Sequence, residues 1–249
     1  MWRMNNLLKL FSLNIEEAKH YDRWVPFVQE KGFDVVCLQE VCKSDLHIFE
    51  ERLDMKFIFT PMCNIFRSDN GERDVCGVAI GSKLAPESND SISYVKEYHS
   101  ETEPDSPKGF MWPARVLLSV TYKKDGEPFH ISTTHFTKTP DGEITDYQRK
   151  DANALLSILQ AKGDFVLCGD MNAPRGKECF GMFAEHYHDN IPAHYKSSLD
   201  MEIRSHPFEG DSNLMVDCLF STPHYRTENV ELVSGLSDHM GIVTDIYKS

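Results

Sequence analysis

Residues Phe165–Pro174 read FVLCGDMNAP. Four apolar residues run into Gly169, and two polar side chains, Asp170 and Asn172, follow before Pro174. The run Asp164–Gly169 has the length and composition of a strand buried on both faces. Side chains two apart on an extended chain share a side, and Pro174 biases Ala173 away from helical backbone. Asp170 and Asn172 therefore face one cleft if the chain stays extended past Gly169. A polar turn that merely closes the strand uses the same residue types, so the decapeptide alone leaves both readings open.

The pattern recurs along the chain. Strand-like Leu7–Asn14 ends on Asn14, and Asp34–Leu38 runs into Gln39-Glu40. Pro128–Phe136 delivers His135, Leu214–Ser221 carries Asp217 among apolar neighbours, and Ser237-Asp238-His239 precedes the final strand Gly241–Tyr247. Carboxylate and amide oxygens are ligands for a hard cation such as Mg²⁺. Two His supply donors to a phosphoryl oxygen or proton transfer, and an Asp facing a His orients the ring and stabilises its charged form. Without a cation, so many carboxylates in one apolar site are costly to ionise.

Further strands are expected at Met55–Thr60, Val75–Ile80, Ile92–His99, Ala114–Lys123 and Asn229–Val233. Helices are expected at Tyr21–Lys31, from a Ser44 cap to about Leu53, and at Ile144–Lys162, where Ala152, Leu155, Leu156 and Leu159 share a face. Segments 100–113 and 185–210, rich in Pro with acidic residues or His, read as surface loops, neither long enough to link domains. Many strands with few long helices make an α+β fold, with two packed sheets and helices outside each. The 249 residues are read as one domain, 1–249.

A net charge of -13 argues against extensive duplex DNA binding, although it permits a small phosphorylated substrate beside a cation. No apolar run approaches a membrane span, so no stable membrane anchor is expected, and the N-terminus lacks a secretory signal pattern. The seven Cys form no C-x-x-C pair. They read as reduced thiols in a cytoplasmic protein.

In order along the chain, LNIEEA, CLQEV, TTHF, GDMNAP and SDHMG resemble the motifs of the endonuclease/exonuclease/phosphatase superfamily, from Asn14 to His239. The resemblance implies a four-layer αββα sandwich of two mainly antiparallel sheets. It also implies Mg²⁺-dependent hydrolysis of a phosphate ester, with Mn²⁺ as the alternative ion. By motif, Glu40 resembles the principal metal ligand, with Asn14 beside it and Asp238 reaching the ion directly or through water. Asp170 resembles the residue that orients or deprotonates the attacking water, and Asn172 positions water and phosphate. His239, oriented by Asp217, would contact the scissile phosphate. His135 stands where apurinic endonucleases typically have Tyr, as a second donor or an acid for the leaving group. Glu16 is within reach of the same site. The substrate classes left open are a nucleic acid end, a phosphoinositide or sugar phosphate, and a phospholipid head group.

Other features keep two readings each. Arg115 meets a substrate phosphate or pairs with a carboxylate. Arg67 and Arg73, flanking a turn, touch substrate or keep the surface soluble. Phe110 and Trp112 stack on substrate or pack on their own loop. His186, His188, His194 and His206 crowd one segment but match no zinc spacing. A loop that shapes the cleft is the reading preferred there, and a zinc hydrolase is the alternative. A non-catalytic binding module with the same fold would be expected to lack some of the site residues, and this chain has them all.

Overall fold

A computed structural model describes residues 7–100, 114–204 and 214–248. Twelve strands form two six-stranded sheets among the described residues. In strand order, the first is β11-β12-β1-β2-β4-β3 and the second β5-β6-β7-β8-β10-β9. The strands of the first sheet are β1 (Leu7–Asn14), β2 (Val35–Cys42), β3 (Lys56–Phe66), β4 (Arg73–Ser82), β11 (Tyr225–Val233) and β12 (Gly241–Lys248). Those of the second are β5 (Pro86–Val95), β6 (Arg115–Lys124), β7 (Glu127–His135), β8 (Val166–Asp170), β9 (His188–Asp189) and β10 (Asp217–Ser221).

Each sheet has one parallel pair at its centre, β1 with β2 and β7 with β8, and every other pairing is antiparallel. A parallel pair needs a crossover. Helix α1 (Tyr21–Lys31) supplies the first and α3 (Asp146–Ala161) the second, with α2 (Leu46–Leu53) and α4 (Glu178–Ala184) beside them.

Strand alternation sorts the side chains into layers. Leu8 and Leu10 of β1 join Val35, Ile131, Val166 and Leu219 in the core between the sheets. Phe11 and Leu13 face the other way and pack with Trp24, Val25 and Phe49 under α1 and α2. Leu155, Leu159 and Phe183 cover the outer face of the second sheet with Leu167 and Phe220. The order of layers is helix, sheet, sheet, helix. Thr145 caps α3 by accepting the Gln148 N–H.

The architecture places the site. The carboxyl ends of β1, β2, β7 and β8 lie at one end of the sandwich. β10 and β12 run antiparallel to β8 and β1, so their amino ends arrive at the same place. Toward that end the inter-sheet core turns polar: Gln39 Nε2 donates to Thr133 Oγ1 across the gap at 2.9 Å.

Three expectations needed revision. The strand expected at Ile92–His99 spans Pro86–Val95. Among the described residues it is an edge strand paired only with β6, and its exposed residues Pro86–Ser91 carry no apolar signal. Ser44 does not cap a helix. Residues Lys43–Asp45 form a 3₁₀ turn before α2, and the Ser44 hydroxyl donates to Asp74. The segment expected as loop at 185–210 contains β9, which pairs with β10. Helix α4 was not expected at all.

Gly169 is required by the parallel β7–β8 pair. Its φ is +144°, and a Cβ there would stand 2.2 Å from the Thr134 carbonyl oxygen. Gly169→Ala is expected to cost about 2–4 kcal/mol, because backbone rather than a flexible side chain must yield. Denaturant unfolding checks this.

Candidate active site

The second sheet supplies three residues in one row. In the ladder His135 stands beside Asp170, and Asp170 beside Asp217. All three share the parity of Val166, Cys168 and Leu219, and so face the first sheet. Asn14 has the parity of Leu8 and Leu10 and faces them. Its Nδ2 donates to Asp170 Oδ2 at 3.1 Å and to Glu40 Oε1 at 3.0 Å, closing the gap between sheets.

Glu40 arrives by a different route. In β2, Val36 and Leu38 point to the helices, and strict alternation would send Glu40 after them. A register shift against β4 between Leu38 and Val41, with Glu40 at φ +59°, turns it to the inner face. An extra residue of this kind re-aims a side chain.

His239 completes the group from the turn before β12. Its Nδ1 is 2.8 Å from Asp217 Oδ2, and its Nε2 is 3.8 Å from Asp170 Oδ2. His135 Nε2 lies 3.4 Å from Asp170 Oδ2 and 3.9 Å from Glu40 Oε1. Ligand atoms of Asp170, Asp217 and His239 all lie within 4.8 Å of one another. Much of that closeness is the hydrogen bond that the His239 Nδ1–H donates to Asp217.

Burial and mutual repulsion set the protonation states. Burial, and then the charge of Asp238, push Glu40 up to about 7. Burial raises Asp170 too, with Asp217 adding and His239 opposing. Burial alone would push the His239 imidazole down. Asp217 and Asp170 outweigh it and raise the ring to about 10. His135 is held well below the usual histidine range by burial, then by Arg115 and His239. The site therefore holds a charged His239 and a neutral His135. Beside them stand the carboxylates of Glu40 and Asp170, both raised by burial, whose ionisation a further cation would favour. An all-oxygen carboxylate set of this kind suits a hard divalent ion.

The Endonuclease/Exonuclease/phosphatase family model matches residues 11–239. The chain belongs to that family. Among curated proteins none matches. Among solved structures, the family member from Bacteroides vulgatus is 15% identical, with a TM-score of 0.73 over 98% of this chain and 99% of its own. The Bacteroides thetaiotaomicron mannosyl-6-phosphatase is 16% identical, with 0.68 over 96% and 99%. TDP2 from D. rerio, solved with a single-strand DNA product, is 15% identical, with 0.68 over 98% and 100%. At these identities the shared property is the αββα fold.

Against the family's expected roles, several residues take more specific positions. Asn14 accepts the Glu16 N–H on Oδ1 at 3.1 Å, so it turns its nitrogen, not its oxygen, to the carboxylates. In this orientation its Nδ2 bridges the Glu40 and Asp170 carboxylates and its oxygen points away from them. Asn172 departs from the extended geometry expected of it. Its φ is +45°; its N–H donates to Asp170 Oδ1 at 2.8 Å and its Nδ2 to the Phe136 carbonyl at 3.2 Å. Asp238 is buried, with Oδ2 3.6 Å from Arg204 Nη1. Glu16 turns away, its carboxylate accepting from Lys19 and His20.

Arg115 is 2% exposed, deeper than a strand-opening residue suggests, and its charge is felt at His135. Arg67 is not a surface cation. It is 9% exposed and meets Asp45 at 2.8 Å, Asp69 at 2.8 Å and Asp74 at 3.1 Å. That network ties the loop after β3 to the turn after β2. His186, His188 and His194 are exposed and form no metal-ligand group among the described residues. His206, Phe110 and Trp112 lie outside them. Arg204 was missed, and a lone Arg in a polar segment gives no signal that could have found it.

Proposed function

We propose that this chain hydrolyses a phosphate ester with the help of one divalent cation, Mg²⁺ or alternatively Mn²⁺. The observation that carries the reading is Asp170. Asn14 of the first sheet, His135 of the second and the turn holding His239 all bring a nitrogen within 3.1–3.8 Å of its Oδ2. Glu40, with Asp238 beside it and Asn14 Nδ2 holding it apart from Asp170, would hold the ion, which when bound draws charge from a nonbridging phosphoryl oxygen and stabilises the leaving oxygen.

The chain's own groups divide the remaining work. Asp170 orients a water and takes its proton as the oxygen attacks phosphorus; the bond from phosphorus to the ester oxygen breaks, and the departing oxygen takes a proton from solvent. The Asn172 turn fixes the other Asp170 oxygen, so one oxygen stays aimed at the cleft. His239 is a cation whose Nδ1–H is committed to Asp217. Its Nε2–H is therefore directed at the phosphate and stabilises charge that develops there. His135, being neutral near pH 7, serves as a hydrogen-bond donor to the phosphoryl group rather than as the acid. Arg115 favours that state and adds positive potential behind the phosphate.

With the net charge of -13 we favour a small phosphate ester or a nucleic acid end over extended duplex. Phosphate mono- and diesters assayed with Mg²⁺ and with EDTA test this. Hydrolysis that stops on chelation and returns with Mg²⁺ is expected. Hydrolysis that survives chelation overturns the reading.

A further inference from the structure

We propose that Ser198 is a positioning residue that holds Asp217 and His239 in register. This rests on the reading of that pair as the group that meets the phosphate. Asp217 opens β10 in the second sheet, and His239 precedes β12 in the first. Their hydrogen bond joins two sheets whose relative placement a single 2.8 Å contact cannot fix. Segment 197–204 runs between them.

Ser198 is fully buried. Its hydroxyl oxygen accepts two consecutive backbone donors, Val216 N–H and Asp217 N–H, each at 3.0 Å. Its carbonyl accepts Met240 N–H at 2.7 Å, and its own N–H donates to the Leu214 carbonyl. The side chain thus grips the backbone of Asp217, and the main chain grips the residue after His239. Leu199 continues the pairing as a bridge to His239 itself. Asp200 extends it: its N–H donates to the Asp238 carbonyl at 2.9 Å, and its Oδ2 accepts Gly235 N–H at 2.6 Å.

Without the hydroxyl, two buried N–H groups at the start of β10 lose their acceptor, a costly state that favours a local shift. The rest of β10 stays anchored by its ladder to β8 and by Met171 N–H on the Val216 carbonyl. A variant at Ser198 should therefore fold while the pair drifts. Misplacement on the scale of an ångström costs on the order of a hundredfold in rate.

The test uses the full chain, with Ser198→Ala, Ser198→Cys and His239→Ala. The probes are p-nitrophenyl phosphate and bis(p-nitrophenyl) phosphate with Mg²⁺, together with the downfield proton resonance of His239 Nδ1–H. Ser198→Ala is expected to lose roughly 30- to 100-fold in kcat with KM changed by less than about threefold, and to lose or broaden the resonance. Ser198→Cys, which is somewhat larger and keeps a weaker acceptor, should lose less, and it carries the test alone if the alanine variant does not fold. An intact resonance and unchanged kcat in the Ser198 variants overturn the proposal. If they are unchanged while His239→Ala is inactive, only the role of Ser198 falls. If His239→Ala keeps full turnover, the reading of the pair falls, and the resonance alone decides whether Ser198 holds it.

Discussion

Asp170→Asn is expected to reduce turnover by about three orders of magnitude or more and to leave the fold intact. The loss follows from two roles carried by one carboxylate: orienting the water and receiving its proton. Asparagine can still accept the Asn172 N–H, so the turn survives. Its new amide nitrogen would face the Nδ2 of Asn14, which normally donates to Asp170 at 3.1 Å, so the contact between sheets must rearrange. Stability is not expected to suffer. Burial raises the Asp170 carboxyl above its ordinary value. A group whose folded value lies above its unfolded one opposes folding once the pH exceeds the unfolded value. Removing that charge relieves this cost, while the His239 imidazolium loses one of the two carboxylates that hold it charged, so the melting temperature in EDTA at neutral pH should change little. Steady-state kinetics and thermal unfolding on one preparation check both halves. Turnover near the wild-type rate would remove Asp170 from the chemistry.

Asp217→Ala is expected to have the second largest effect, and it acts on both turnover and stability. The His239–Asp217 pair is 8% and 4% exposed, at 2.8 Å. Removing the carboxylate leaves a buried imidazolium without its partner, or a neutral ring free to turn. Breaking a buried pair from one side typically costs about 3 kcal/mol or more. Losing an oriented donor to the phosphate costs about two to three orders of magnitude in rate. The double variant Asp217→Asn/His239→Gln separates the two consequences, since it keeps a hydrogen-bonding pair and removes both charges. It should recover most of the stability and none of the activity. Recovery of turnover in the double variant would show that the charge on His239 is not used.

The sequence made some of this visible and hid the rest for physical reasons. β1 and α1 match their expected bounds: Leu8 and Leu10 share one face of the strand with Phe11 and Leu13 on the other, and Trp24, Val25 and Val28 line one side of the helix. The edge strand β5 was displaced because its exposed half uses Ser, Asn and Asp, which need no core. Asn14, His135, Asp170 and Asp217 face inward by simple alternation, so strand ends alone point to them. Glu40 does not, because alternation assigns it to the helix side and only the irregularity in β2 brings it in. The family resemblance identified it where periodicity could not. Arg67 misled because a polar turn in sequence gives no sign that three carboxylates surround its neighbour. Ser198 and Asp200 sit in a segment whose His and Pro content suggests loop, and their side chains accept from backbone N–H groups far along the chain, a pairing that no side-chain pattern encodes.

The central claim is that residues from both sheets converge on a single divalent ion, with Glu40 as its principal ligand. Calorimetric titration of the metal-free chain with Mg²⁺ or Mn²⁺, repeated on Glu40→Gln, tests it most directly. One bound ion per chain in the wild type, and binding weakened by at least about tenfold in the variant, is the result expected. Equal affinity and stoichiometry in the two proteins would contradict it.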